Sequence, residues 1–225
     1  MPGLRVAVGA GRQNQLAVDL LDKAAGAETA SLDIWRSVPA TFGGVDATVM
    51  RTDFVGLHGY DLLAPASDRQ RLWEALIESG ATPVGTEALE VVRVERGVPT
   101  SGRELGETYN PLEAGLKGLI SFTKGCYVGQ EVVARLDTYK KVQKHLSGLT
   151  WDSETLPGKN ARLMLDGAQV GVVTPAVRSP LLRSGIGLGY VRKASALPGT
   201  TLTLELDDGH TQAQVVGLPF VASHD

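Results

Sequence analysis

The sequence predicts an α+β region over residues 1–145 followed by a small all-β domain, sandwich or barrel, over 146–225. Two observations carry that reading. Up to about residue 96, alternating and helical apolar patterns interleave in the order strand, helix, strand, strand, helix, as when helices pack on a largely antiparallel sheet. From about residue 145 the chain becomes a series of short, often alternating runs broken by Gly, Pro, Asp and Asn, the habit of a small closed or sandwiched β structure.

Taken in order, Leu4, Val6 and Val8 alternate as in a strand, and the Gly9–Gly11 turn leads into a helical stretch. Leu16, Leu20, Leu21 and Ala24 share one face of that stretch, with Gly26 as the stop. Strands are expected around "ASLDIWRS" and "VDATVMRTDF", with the turn signal Phe42-Gly43-Gly44 between them, and again at "GYDLLAP". Ser67 to Gln70 has the form of a capping box and opens a helix whose apolar face is Leu72, Trp73, Leu76 and Ile77, ended by Gly80. A further helix is expected from Thr86 to Arg96, with Leu89, Val91 and Val92 inward and Gly97 as the stop. "DTYKKVQKH" (137–145) is the expected link, its lysines a solvated face. In the β part, Asp208-Gly209 reads as a hairpin turn.

Composition excludes several classes. No apolar run approaches the roughly 20 residues of a membrane span, and the amino terminus "MPGLRVAVGAGRQ" lacks a secretory pattern. A net charge of −3 gives no general field toward nucleic acid, so no direct nucleic-acid partner is expected. A single cysteine forms no internal disulfide and no structural zinc set, which suits a reducing cytoplasm. Histidines 58, 145, 210 and 224 show no metal-ligand spacing, and no metal site is expected. "GLHGYDL" and "GIGLGYV" lack the lysine or strand–turn–helix setting of a phosphate loop.

The chemically suggestive stretch is "FTKGCYVGQEVVAR", residues 122–135, which holds that cysteine. Gly125 and Gly129 flex a loop that leads into a helix begun by Gln130 and Glu131. Cys126 then lies just before a helix N-terminus and beside Lys124, two features that favour thiolate over thiol, while Glu131 opposes them. On spacing alone, a functional thiol and a small buried hydrophobe are equally supported.

Lys124, Gly125, Cys126, Tyr127, Val128, Gly129, Gln130 and Glu131, followed by Ala134 and Arg135, closely resemble the signature of YgfZ-type folate-binding proteins, relatives of the glycine cleavage T-protein. "NPLEAGL" (110–116), "VRVERGVP" (92–99), "RTDFVGLHGYDL" (51–62), "GVVTPAVRSPLLRSGIGLGYV" and the closing "GLPF" resemble further family elements, so the likeness spans nearly the whole chain. It implies a folate-binding α+β domain, lacking the family's N-terminal half, followed by a C-terminal β-barrel. It implies tetrahydrofolate or a derivative as cofactor, iron–sulfur client or assembly proteins as partners, an accessory role in iron–sulfur maintenance and tRNA modification, and either a fragment of a longer protein or a short member whose fold a second chain completes. Cys126 is then the candidate functional thiol, with a redox or cluster-related role rather than that of an established catalytic nucleophile. Arg93 and Tyr127 fall on the cofactor side, and Lys124, Gly125, Gly129, Gln130, Glu131 and Arg135 complete the motif. The structural alternative for Arg93 is an ion pair with Glu95 or Glu113, and for Tyr127 core packing. Three departures from the T-protein pattern stand out: Leu57 replaces the pterin-binding glutamate, the region of the catalytic aspartate has no counterpart, and the T-protein form of the signature lacks the cysteine. The alternatives are a tetrahydrofolate-dependent aminomethyl or methyl transferase and a folate-independent interaction scaffold.

Overall fold

The computed structural model describes residues 4–7, 12–25, 29–139 and 142–222, which form two compact units, Met1–Leu89 with Ala222–Asp225, and Glu90–Val221. Val8, the Gly9–Gly11 turn, Gly26, the Leu16 side chain, Lys140, Lys141 and His224 lie outside the described residues.

In the first unit, strands β1 (Leu4–Ala7), β2 (Ser37–Phe42), β3 (Val45–Arg51) and β4 (Gly59–Leu63) make an antiparallel sheet in the order β1-β4-β3-β2. Helices α1 (Arg12–Ala25) and α2 (Arg69–Glu78) supply Leu21, Leu72 and Leu76 to a core with Phe42, Val45, Val49, Tyr60 and Leu62. Gly43 and Gly44 close the β2–β3 hairpin at φ 53° and 76°, the two positive angles of the tight turn whose twist matches antiparallel strands. Pro39 is tolerated in β2 because β2 is an edge strand.

Three local expectations are corrected here. "ASLDIWRS" is not a strand: Thr29–Ser31 is a 3₁₀ turn, and Trp35 takes a left-handed φ of 69° and is exposed, so the strand begins only at Ser37. The capping box does not form; Asp68 is the N-cap of α2 with no side-chain cap bond, and Gln70 donates to Glu74 instead. On α2 only Leu72 and Leu76 are buried, while Trp73 and Ile77 stay exposed, because the contacting stripe is one residue wide.

Helix α3 (Thr86–Glu95) leads into the second unit. It ends as expected at Gly97, whose N–H donates to the Val94 carbonyl while Val98 donates to that of Arg93. Its buried residues are Arg93, Val94 and Glu95 rather than Leu89, Val91 and Val92, which are half-buried. Helix α4 (Gln130–Thr138) follows the motif loop. Strands β5 (Lys144–Trp151), β6 (Arg162–Leu165), β7 (Ala168–Ser179), β8 (Ser184–Arg192), β9 (Thr201–Leu206) and β10 (Gly209–Val216) close a barrel in the order β10-β5-β8-β7-β6-β9. The β9–β10 turn is Asp207-Asp208, one residue earlier than the sequence suggests.

The run "GIGLGY" in β8 explains how the barrel serves the site. Its glycines face inward, where a Cβ on Gly189 would stand 2.7 Å from Leu149 Cδ1, so the barrel filling needs them bare. Alternation then puts Ile186, Leu188 and Tyr190 on the outer face. There Ile186 and Leu188 pack with Val94, and Tyr190 reaches the segment after α3.

Candidate functional site

A carboxylate of the second unit, Glu104, on the turn-rich segment after α3, is fully buried. A buried carboxylate must be paired and hydrogen-bonded to persist. Arg93 Nη1 donates to Glu104 Oε2 at 3.0 Å, the Thr100 N–H to the same oxygen at 2.8 Å, and the Thr174 hydroxyl lies 3.3 Å from Oε1. Thr174 is brought there by a bulge in β7 between Val173 and Ala176, the kind of irregularity that re-aims a side chain. Tyr190 donates its hydroxyl to the Glu104 carbonyl at 3.0 Å.

Arg93 also donates through Nε to Glu90 Oε2 at 3.0 Å, through Nη2 to Glu90 Oε1, and through Nη1 to the Val98 carbonyl. Arg103, more exposed, shares Glu90 Oε1 at 2.7 Å. Two guanidinium groups thus meet two carboxylates, and the cluster is neutral. Burial pulls the Arg93 pKa down, but hydrogen bonds and charge from Glu90 and Glu104 outweigh it and hold the group above the ordinary arginine value. With Nη2 also donating to Glu104 Oε1 at 3.5 Å, the five N–H donors of the guanidinium are all engaged inside the protein. Arg93's partners are therefore Glu90 and Glu104, not Glu95 or Glu113. Glu95 instead accepts from the Ser179 hydroxyl, and the Glu113 carboxylate accepts the Asn110 N–H. Sequence reasoning missed Glu104, which lies in a segment without periodicity and takes its partners from up to 86 residues away.

Tyr190 stacks on Tyr109 with centroids 3.5 Å apart at 11°, and Lys144 Nζ lies 5.4 Å from the Tyr109 centroid. Burial is the main cause that pushes both phenols above their ordinary value, with Tyr109, Glu104 and Glu113 adding to it for Tyr190 and Glu113 for Tyr109.

The signature motif forms a separate group. Residues 121–129 are an irregular loop that turns into α4 through Gly129 at φ 88°, with no side chain capping the helix. Cys126 is exposed, which removes the buried-hydrophobe reading. Lys124 Nζ lies 4.8 Å over the ring of Tyr127, which is half-buried rather than in the core. Gln130 is half-buried; Glu131 and Arg135 are exposed and, among the described residues, make no ion pair. Lys117 ties the preceding turn to α4 through Asp137 at 2.6 Å. Among the described residues no hydrogen bond, ion pair or ring contact links this motif to Arg93.

In the first unit, "RTDFVGLHGY" forms a tight connection from β3 to β4. Asp53 Oδ1 accepts the Gly59 N–H at 2.9 Å and pairs with Arg51. His58 Nε2 is 3.1 Å from the Tyr60 hydroxyl, which donates to the Thr29 carbonyl. Burial first, then Arg51, holds the His58 pKa below its ordinary value against a raising effect of Asp53. Leu57 is half-buried. Among the described residues, Thr52 Oγ1 is buried and has no hydrogen-bond partner.

A mixed α/β region followed by a closed six-stranded barrel defines the architectural class. The GCVT N-terminal domain matches residues 15–124, and the glycine cleavage T-protein C-terminal barrel domain matches residues 144–222. An aminomethyltransferase of Halothermothrix orenii is 31% identical over 208 residues, covering 90% of this chain and 57% of the relative. A chloroplastic protein of Arabidopsis thaliana named as a transferase is 36% identical over 167 residues, covering 74% of this chain and 38% of that one. The crystal structure of glycine cleavage system aminomethyltransferase T from Bartonella henselae has the same fold, with a TM-score of 0.77 at 24% identity over 91% of this chain and 57% of that one. The chain belongs to the glycine cleavage T-protein family, and it spans little more than half the length of the aminomethyltransferases it matches. Among the described residues no helix is long and apolar enough to cross a membrane, and no His, Cys, Asp or Glu cluster suits a metal ion.

Proposed function

We infer that this chain is a folate-binding accessory protein of the YgfZ type within the T-protein family, acting in the cytoplasm on iron–sulfur client or assembly proteins, with Cys126 as its working thiol. The observation that carries the reading is the exposure of Cys126 on a glycine-flanked loop in the sequence Lys-Gly-Cys-Tyr-Val-Gly-Gln-Glu. An exposed thiol can meet a partner protein directly. One thiol holds no conventional cluster, which takes four protein ligands, so its contact with a cluster is shared or transient.

For a tetrahydrofolate-type ligand the observed donors and acceptors fit in part. The Thr52 hydroxyl, buried and without a partner, suits the polar edge of a pterin in the first unit. Leu57 offers that edge no acceptor. Arg93 has no spare donor, and its direct contact with a ligand requires exchange of Glu90 or Glu104. Its role in this reading is to hold the segment after α3. Tetrahydrofolate, when bound, supplies a carrier for a one-carbon group. The ligand domain in this reading is 1–145 and the barrel domain 146–225.

Calorimetric titration with tetrahydrofolate tests the reading. Binding by the wild type and its weakening in Thr52→Val are expected. Absence of binding at about 1 mM, a free energy weaker than about −4 kcal/mol, removes the folate assignment. The second reading, aminomethyl transfer, is favoured by the names of the relatives. It requires turnover of an aminomethyl carrier with tetrahydrofolate, which the accessory reading does not.

A further inference from the structure

Helix α4 is short and thinly covered. None of its nine residues, Gln130–Thr138, is buried, and no side chain caps its N-terminus. A helix of fewer than about 12 residues holds in water mainly by packing an apolar face. The half-buried residues Val133, Ala134, Leu136 and Asp137 form its inward side, and Asp137 is tied to Lys117 at 2.6 Å. The outward side is where apolar residues are out of place. At about 100° per residue, Val132, Arg135 and Tyr139 fall within about 60° of one another, with Glu131 bordering them. Val132 and Tyr139 are 51% and 65% exposed; Val128, just ahead of the cap, is 103% exposed, and Leu119, on the Lys117 turn, 70%.

These four apolar side chains expose on the order of 500 Å², near the apolar share of the roughly 800 Å² that each partner gives to a standard interface. A contiguous patch of that size marks an interaction surface. Glu131 and Arg135 supply its polar part. They are exposed, opposite in charge and four residues apart, and neither makes an ion pair among the described residues.

That charge pattern is its own complement. With a two-fold axis at Val133, antiparallel α4 helices set each Glu131 against the Arg135 of the other copy. The same axis brings the Val128 end of one helix to the Tyr139 end of the other, so every contact occurs twice, as an isologous interface requires. A parallel pair would set like against like. We propose that this chain forms a symmetric dimer through the outward face of α4, laid antiparallel on α4 of a second copy. Cys126 lies seven residues from the axis. At a rise of about 1.5 Å per residue the two thiols stand on the order of 20 Å apart, well beyond the roughly 7 Å between Cα atoms that a disulfide spans. The dimer therefore carries one exposed Cys126 at each end of the contact, and neither thiol is consumed by the other.

The test is sedimentation equilibrium of the full chain from about 1 to 100 µM, a range over which mass action populates a dimer. A species of twice the 23.8 kDa chain mass is expected at the upper end. Glu131→Arg and Arg135→Glu, each alone, should raise the dissociation constant at least about tenfold, since each sets like charges together twice. The double swap Glu131→Arg, Arg135→Glu should restore the dimer. An equal mixture of the two single variants should restore it too, because one then carries two cations on the face and the other two anions. Circular dichroism checks that each variant folds. Val128→Glu alters a side chain already fully exposed in the single chain, and it should weaken the dimer without touching the fold. A chain that stays monomeric at about 100 µM overturns the proposal, on the same mass-action ground. So does a dimer indifferent to all three single substitutions, or a pair of charge variants that fail to recombine. Quantitative cross-linking of Cys126 to Cys126 under a mild oxidant overturns the antiparallel arrangement.

Discussion

Replacing Glu104 with alanine should destabilise the second unit by about 4 kcal/mol. The side chain accepts from Arg93 at 3.0 Å and from the Thr100 N–H at 2.8 Å, with the Thr174 hydroxyl at 3.3 Å, and is itself fully buried. Removing one member of a buried pair costs about 3–5 kcal/mol because the other charge is left behind. Here Glu90 still touches Arg93 and softens the loss, yet it must then serve Arg93 and Arg103 with one carboxylate. The stranded Thr100 N–H adds a cost of about 1–3 kcal/mol where water cannot reach it. With a slope of about 2 kcal/mol per molar urea, the unfolding midpoint should fall by about 2 M. The double variant Arg93→Met, Glu104→Leu should recover much of the loss, since apolar residues of similar volume tolerate such a site, and the coupling should be at least about 2 kcal/mol. A loss below about 1 kcal/mol in Glu104→Ala, or strict additivity in the double variant, would refute the claim that this cluster holds the segment.

Three further outcomes are expected. His58 is held below its ordinary value of 6.5, mainly by burial. The unfolded chain therefore takes up the proton first as pH falls, and the stability His58 contributes is complete above about pH 6.5 and lost on acidification through it. Urea midpoints at about pH 7.5 and 5 should differ less in His58→Gln than in the wild type; parallel losses would clear His58 of any part. Gly187→Ala should cost about 2–3 kcal/mol, because its Cβ would lie 2.7 Å from the Pro175 carbonyl oxygen in the neighbouring strand. Gly158→Ala meets only the movable Asp207 carboxylate at 3.2 Å and should leave the melting temperature nearly unchanged; similar melting temperatures for the two variants would contradict this. Cys126, being exposed, should react with an aromatic disulfide in the native protein at one equivalent per chain, within about tenfold of its rate in denaturant. A thiol that stays silent until the chain unfolds would show it to be covered.

What was legible in the sequence depended on how local its cause is. The Gly43-Gly44 hairpin and the α3 stop at Gly97 were readable because a few adjacent residues decide them. So were the barrel runs, where alternation reports a buried face. The "ASLDIWRS" stretch misled because β-branched and aromatic residues raise strand propensity, yet Ile34 and Trp35 have no sheet to pack on and are exposed. The capping box failed for a similar reason: the Ala66–Asp68 turn moves the helix start past Ser67, so the side chain meant to cap is no longer at the cap. The candidate site divided along the same line. The motif loop, its turn into α4 and its single thiol are local and were foreseen. Thr174 and Tyr190 lie 70 and 86 residues from Glu104, and nothing near any of them announces a carboxylate site.

Arg93 shows how these two levels join. The family resemblance implies a binding role for it, and a planar fork of donors is suited to a carboxylate. The structure gives it two carboxylates of its own, Glu90 and Glu104, and leaves no donor over. In the folate reading proposed above, a guanidinium so enclosed acts on the ligand through what it positions: the Glu104 segment, the Tyr190 hydroxyl bonded to it, and the Tyr109 ring stacked on Tyr190 beneath Lys144. Loss of Arg93 should therefore act first on stability and, through that chain of contacts, on the placement of Lys144. A binding defect in Arg93→Ala that is proportional to its loss of folded protein is the signature of this role. A binding defect in a fully folded Arg93→Lys variant, whose single ammonium cannot reproduce the fork, would instead show that the ligand competes with Glu90 or Glu104 for the guanidinium itself.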